Sequence, residues 1–219
     1  MLAIAIDIDG TITDNRRRIN LDAVHEIRRH INRGALIVPA TGNTACLARS
    51  ISVLIGTSGF LIAENGGVIE SPKGERAAIG DINVAERAFK LASNSMDLER
   101  VNDCRETEVA IKKDSKSNKL KKIIRDIDLN VDVIDSKFAI HIREKGTNKG
   151  MALKEIAKMV DVDLSDFVAI GDSENDIEMV DAAGTGVAVN NSPDELIEVA
   201  DIVTENENGA GVVEFLQSV

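Results

Sequence analysis

The chain has 219 residues, enough for one large domain or for a core carrying a smaller insertion, and either can bury a sizeable apolar interior. Acidic residues outnumber Lys plus Arg by 37 to 26, giving a formal charge of -11, and there is no Trp or Tyr and only five Phe. This balance excludes the basic surface and stacking aromatics that nucleic-acid binding requires, and no apolar stretch approaches the roughly 20 residues of a membrane-crossing helix. Cys46 and Cys104 lie far apart without metal-ligand spacing, and no signal-like segment precedes the first apolar run. The expected setting is a reducing cytoplasm, for a soluble monomer or homodimer.

The run Leu2-Ala3-Ile4-Ala5-Ile6 is short, rich in Ile and Ala, and closed by Gly10. It reads as a strand covered on both faces. Leu21 to Arg33 places Ala23, Val24, Ile27 and Ile31 on one helical face and stops at Gly34. Leu36-Ile37-Val38 predicts a second strand, Thr44 to Leu54 a helix capped by Asn43 or Thr44, and Phe60 to Ala63 a third strand. Glu64-Asn65-Gly66-Gly67 is turn chemistry, leading to a hairpin of Val68-Ile69 and Ala77 to Ile79 around Ser71-Pro72-Lys73-Gly74.

From about Gly80 the pattern changes. Helix-like stretches at Val84 to Ala92 and Lys116 to Arg125 are mixed with strand-like runs at Glu108 to Ile111, Val131 to Ile134 and Phe138 to Ile142. These suggest a small α+β layer. Strict alternation resumes with helix Met151 to Val160 and strand Phe167 to Ile170. A helix through Met179, strand Gly186 to Val189, helix Asp194 to Val199, strand Ile202-Val203 and a final helix complete it. The expected fold is α/β: a doubly wound parallel sheet from residues 1–80 and 147–219, with residues 81–146 inserted as a cap over the sheet's binding edge.

Asp7 and Asp9 follow the first strand directly, in Asp7-Ile8-Asp9-Gly10-Thr11. Ligands of open parallel sheets bind outside the carboxyl ends of the strands, so both acids are expected at that edge. Spaced by two in extended backbone, they are expected to project to one side. Like charges held so close call for a cation or for pKa values pushed apart. Asp-x-Asp-Gly also serves as turn chemistry and opens calcium loops, but a calcium loop wants Glu at its twelfth position and here Arg18 stands there. Gly171-Asp172-Ser173-Glu174-Asn175-Asp176 repeats the logic after another buried strand. Asp172 and Asp176 could face a cation held by Asp7, or could simply cap the next helix. Thr41-Gly42-Asn43 offers a hydroxyl and backbone amides ahead of a helix, as an anion site or as turn and cap. Lys149, in Asn148-Lys149-Gly150, stands where the alternating pattern resumes.

In this order and combination, these four pieces resemble the haloacid dehalogenase superfamily of phosphatases. Asp7 to Thr11 is similar to its first motif, Thr41-Gly42 to the second, Lys149 to the third, and Gly171-Asp172 with Asn175-Asp176 to the fourth. The resemblance covers essentially the whole chain, including the cap between the second and third motifs. Thr41-Gly42-Asn43, the Thr147-Asn148-Lys149-Gly150 run and the compact cap look most like the archaeal phosphoglycolate phosphatases.

The resemblance implies a phosphatase dependent on Mg2+ that acts on a small phosphate monoester, most like 2-phosphoglycolate. Asp7 would be the nucleophile, forming an aspartyl-phosphate, and Asp9 the acid and base, with its backbone carbonyl on the metal. Asp172 would complete the metal shell with Asp7, and Asp176 would ligate or support it. Lys149 and Thr41, with Gly42 and Asn43, would hold the phosphoryl group. A sugar-phosphate or mannosyl-3-phosphoglycerate phosphatase is the alternative within the superfamily, and Asn43 stands where such enzymes often carry Arg. A receiver-like signalling module, which also phosphorylates an Asp beside magnesium, needs neither Asp9 nor a cap.

Other polar residues carry weaker readings. His25 and His30 are expected on a surface helix and His141 at the end of a cap strand, without zinc-like spacing, and Cys46 in a core or on a helix face. Lys112, Lys113, Lys116, Lys119, Lys121 and Lys122 read as a solvated face. Arg16-Arg17-Arg18 reads as a loop that could border the site entrance. Arg105 and Arg143 are candidates for a substrate carboxylate.

Overall fold

The computed structural model describes residues 1–57, 59–101, 104–113, 117–126, 128–136 and 139–219. Its first half runs β1 (Ala3–Asp7), α1 (Leu21–Asn32), β2 (Leu36–Ala40), α2 (Ala45–Ile55), β3 (Leu61–Ala63), β4 (Val68–Glu70) and β5 (Arg76–Ala78). Then come α3 (Ile82–Ser93), β6 (Glu108–Lys112), α4 (Ser117–Asp126), β7 (Val131–Asp135) and β8 (Ala139–Glu144). The chain ends with α5 (Lys149–Val160), β9 (Phe167–Gly171), α6 (Ile177–Ala182), β10 (Thr185–Ala188), α7 (Asp194–Ile197), β11 (Ile202–Val203) and α8 (Asn208–Ser218). Lys116 and Phe138, expected to open α4 and β8, lie outside the described residues.

Eight strands form the main sheet in the order β11-β10-β9-β1-β2-β3-β4-β5, parallel from β11 through β3 and antiparallel at the β4–β5 hairpin. Alternation along β1 explains why the sheet is covered twice. Ala3 and Ala5 join a core with Leu153, Ile156, Met179 and Val180 of α5 and α6. Ile4 and Ile6 join a second core with Ala23 and Ile27 of α1 and Val212, Phe215 and Leu216 of α8. A strand buried on both faces can be apolar throughout, which is why its sequence shows no polar alternation. The α8 helix also overturns the expectation for His30. It lies over that face of α1, so His30 is buried with Nε2 2.8 Å from the Leu216 carbonyl oxygen. Cys46 is exposed on α2.

The second sheet is three-stranded and antiparallel, in the order β6-β8-β7. Val109, Ile111, Ile140 and Ile142 pack against Ala85, Ala88 and Ala92 of α3 and Leu120 and Ile124 of α4. The opposite face therefore carries Glu108, His141 and Arg143, all buried. Entry to this layer after β5 and exit before α5 lie side by side, the Asp81 amide donating to Glu144 Oε2 at 3.0 Å. The layer is also tied to the turn after β3. The Glu64 carboxylate accepts from the Glu106 and Thr107 amides and from Thr107 Oγ1, at 2.9 to 3.0 Å.

Candidate active site

Register brings the motifs to one edge. Asp7 is the last residue of β1 and pairs with Ala40, the last of β2, while Thr41 and Asp172 stand one position beyond β2 and β9, the strands flanking β1. Beyond Asp7 the chain leaves the extended conformation. Gly10 takes φ +101°, and a Cβ there would fall on the Asp172 carboxylate, so the absent side chain is what lets Asp172 approach the turn.

This turn separates the first two acids, contrary to the expectation that they project together. Asp9, at φ -84° and ψ 96°, swings its carboxylate to the Thr41 hydroxyl (2.9 Å), the Asn43 amide (2.6 Å) and the Arg17 guanidinium (2.9 Å). Its carboxylate is outside the three-acid group of Asp7, Asp172 and Asp176, whose ligand oxygens lie within 4.8 Å of one another. The Thr41 hydroxyl, expected to hold a phosphoryl group, donates to Asp9 here, and Asn43 does the same.

Lys149 opens α5, set by Asn148, whose side chain accepts from the Met151 amide. Its ammonium is fully buried and donates to Asp7 Oδ1 and Asp176 Oδ1, each at 2.6 Å. Burial alone would lower the Lys149 pKa, but Asp176 and Asp7 outweigh it and hold it above the ordinary lysine value. Asp176 is also engaged on its other oxygen by the amides of Asp172 and Ser173, both at 3.1 Å. Asp172 accepts from Thr11 Oγ1 and Asn191 Nδ2, both at 3.0 Å. Asp7 Oδ2, by contrast, is buried with no hydrogen-bond partner among the described residues. Burial, and then the Asp176 charge, push the Asp7 carboxyl well above the usual range, with Lys149 opposing them. Three buried carboxylates facing one ammonium, with one oxygen left over and an all-oxygen donor set, fit a hard divalent cation.

The inner face of the small sheet closes the site. Glu108 Oε1 lies 2.8 Å from His141 Nδ1 and accepts from Arg105 Nη1, while Oε2 accepts from Asn65 Nδ2 at 2.8 Å. Burial by itself would raise the Glu108 carboxyl, but His141, Arg105 and Asn65 together hold it down at about 2. Asn65 Oδ1 in turn accepts from Asn175 at 2.8 Å, so a continuous line of bonds joins the small sheet to the loop that carries Asp172 and Asp176. A cavity of about 110 Å³ is left between the layers, lined among others by Asp7, Asp9, Arg17, Asn43, Arg105 and His141. A larger, open depression of about 1,160 Å³ runs along α5 past Met1 and Asp163 and contains none of the acidic group.

Two expectations change at this face. His141 stands within β8 and lines the cavity; the alternation Ile140-His141-Ile142-Arg143 carried that signal, since it sets His141 opposite the apolar face. Arg143 is engaged elsewhere, its Nε on Asp132 at 3.0 Å and Nη1 on the Asn65 carbonyl at 3.3 Å, and it is not among the cavity's lining residues. Arg17 of the expected loop does border the cavity. Asn175 belongs to the fourth motif and Asn65 to the Glu64-Asn65-Gly66-Gly67 turn, but the line of bonds they form with Glu108, which no motif marks, depends on contacts across 43 and 110 residues.

A family model described as haloacid dehalogenase-like hydrolase matches residues 4–83 and 87–216. The chain belongs to this family. A Methanothermobacter thermautotrophicus protein named phosphoglycolate phosphatase is 43% identical over 219 residues, covering 99% of this chain and 98% of its own. An Archaeoglobus fulgidus protein of the same name is 40% identical over 217 residues, covering 98% and 95%. Among solved structures, one from Thermoplasma acidophilum superposes with TM-score 0.91 over 100% of this chain and 97% of its own, at 21% identity. A haloacid dehalogenase-like hydrolase from Bacteroides thetaiotaomicron gives 0.83 at 20% identity, over 99% and 98%. These two show the fold of this hydrolase to be that of its family.

Proposed function

We propose that this hydrolase is a magnesium-dependent phosphatase that converts 2-phosphoglycolate to glycolate and phosphate through an aspartyl-phosphate on Asp7. The observation that carries the chemistry is Asp7 Oδ2, a buried carboxylate oxygen without a hydrogen-bond partner among the described residues, in a group of three acids and on a residue that lines the cavity. Support for the substrate comes from the names of the archaeal relatives and from the cavity, which is well below the roughly 300–1,000 Å³ of sites for larger ligands.

In the first step the Asp7 carboxylate attacks phosphorus, the bond from phosphorus to the ester oxygen breaks, and Asp9 gives its proton to the departing alkoxide. In the second, water attacks the acyl phosphate, Asp9 takes the water's proton, and inorganic phosphate leaves with Asp7 restored. Thr41, Asn43 and Arg17 orient the Asp9 carboxylate for both transfers. Lys149 fixes Asp7 by one oxygen and thereby leaves the other for reaction. Asp7, Asp172 and the Asp9 backbone carbonyl would hold magnesium, with Asp176 in support, and the ion would screen the nucleophile and the phosphate from each other. In this reading residues 1–80 and 147–219 supply the chemistry and residues 81–146 read the substrate, inside the cytoplasm.

Phosphate release from 2-phosphoglycolate with magnesium, compared between the parent and Asp7→Asn, tests the proposal. Turnover is expected in the parent and none in the variant. Retained turnover in purified Asp7→Asn, or a long-lived phospho-Asp in the parent with no phosphate released, overturns it.

A further inference from the structure

A substrate with a carboxylate beside its phosphate brings a second anion into a cavity already walled by acids. The cation that meets it must be buried, held in place, and have a donor to spare. Lys149 lies behind Asp7 with its ammonium shared by two carboxylates, and it does not line the cavity. Arg143 is engaged with Asp132 and Asn65. Arg17 lines the cavity, but its side chain is 45% exposed and its Nη2 bonds Asp9 and Asn43.

Arg105 differs from each of these. It lines the cavity, its side chain is only 6% exposed, and Nη1 is pinned between the Gly42 carbonyl (2.9 Å) and the Glu108 carboxylate. Nε is buried and has no hydrogen-bond partner among the described residues. A buried donor left unsatisfied costs on the order of 1–3 kcal/mol, more on a charged group, and a ligand that accepts from it recovers that cost. The rigid guanidinium, held at Nη1, presents its Nε edge in a fixed direction, and that edge takes a carboxylate in two parallel bonds. Glu108 is well suited to hold it, because His141 and Asn65 share the same carboxylate and keep it from neutralising Arg105 alone.

We infer that Arg105 is the residue that selects the substrate, its Nε edge binding the carboxylate of a phosphorylated 2-hydroxy acid while the phosphate lies over Asp7. This rests on the phosphatase reading above. The Gly42 contact adds a consequence: the carbonyl that fixes Arg105 belongs to the loop that carries Asn43, so the carboxylate reader and the Asp9 loop are set at one spacing, which favours a short acid.

The test compares kcat/KM for 2-phosphoglycolate with that for 2-hydroxyethyl phosphate, which has a hydroxymethyl group in place of the carboxylate, in the parent, Arg105→Gln and Arg105→Lys. The parent is expected to prefer 2-phosphoglycolate, and Arg105→Gln to reduce that preference on the order of 10²-fold. Arg105→Lys, which keeps the charge without the fork, should fall between. Thermal melts show whether each variant folds; if Arg105→Gln does not, the comparison of the two esters is read from Arg105→Lys against the parent. An unchanged ratio, or equal loss on both esters, overturns the role of Arg105 and leaves the phosphatase reading standing. A parent that hydrolyses neither ester overturns the phosphatase reading itself.

Discussion

Lys149 Nζ lies 2.6 Å from Asp7 Oδ1, fully buried, across 142 residues of sequence. The same ammonium meets Asp176 at equal distance, so one buried cation compensates two of the three buried acids. Removing one partner of a buried ion pair leaves a charge with nowhere to go, at a cost of about 3–5 kcal/mol. Lys149→Met is therefore expected to lower unfolding free energy by that order in urea titrations without added metal, and to abolish phosphate release. A variant as stable as the parent would show that the ammonium does not hold the site together.

Asp9 is predicted to matter in proportion to the basicity of the leaving group. Asp9→Asn keeps an acceptor for Thr41 and Arg17 but cannot move a proton. Loss of general acid–base catalysis is typically about 10²–10⁴-fold. The fall in kcat should be large for 2-phosphoglycolate, whose alkoxide needs the proton, and clearly smaller for 4-nitrophenyl phosphate, whose phenolate leaves without it. Equal losses on the two would point to a positional role for Asp9.

Magnesium should act on stability as well as on rate. Binding to the folded state alone adds RT ln(1 + [L]/Kd), about 2.7 kcal/mol at a hundredfold excess over Kd. Melting temperature is expected to rise with magnesium in the parent and to rise little in Asp172→Asn, and chelation should remove activity reversibly. An Asp172→Asn variant with the parent's full magnesium shift would place the ion elsewhere.

Glu108 gives a pH signature. Its carboxyl is held at about 2, below the ordinary value of about 4.5, so its interactions stabilise the fold fully above about pH 5 and are lost as pH falls toward 2. A depression of this size corresponds to stability on the order of 3 kcal/mol. Glu108→Gln has no carboxyl to titrate there. The stability gap between parent and variant should be widest above pH 5 and narrow by that order at pH 2, measured by denaturant titration across the range. A constant gap would mean that packing at position 108, and not its charge, is what matters.

The fold was legible because its strands are short apolar runs ended by Gly or Asp and its helices carry 3.6-residue stripes; β1, β9 and α1 stand nearly where periodicity sets them. What could not be read is what depends on backbone turning or on register. The Asp9 carboxylate leaves the acid group because the chain gives up the extended conformation at Ile8, directly after Asp7, a local geometry that Asp-x-Asp spacing does not encode. His141 meets Glu108 only because β6 and β8 pair with Ala110 opposite His141, setting the two side chains diagonally on one face. His30 is buried because α8, at the far end of the chain, covers it. Arg105 and Arg143 looked alike as sequence, and only the contacts of each guanidinium separate them.

The adjacency of Asp81 and Glu144, where the chain crosses to the small sheet and returns, has a consequence for how such proteins diversify. An excursion that begins and ends at one point can lengthen, shorten or change its inner face while the strands bearing Asp7, Thr41 and Asp172 keep their registers. Under the substrate role inferred for Arg105, selection on substrate falls on that inner face, while the strand registers beneath the acids are kept. Descent within this architecture can preserve a reaction and exchange the molecule it is performed on.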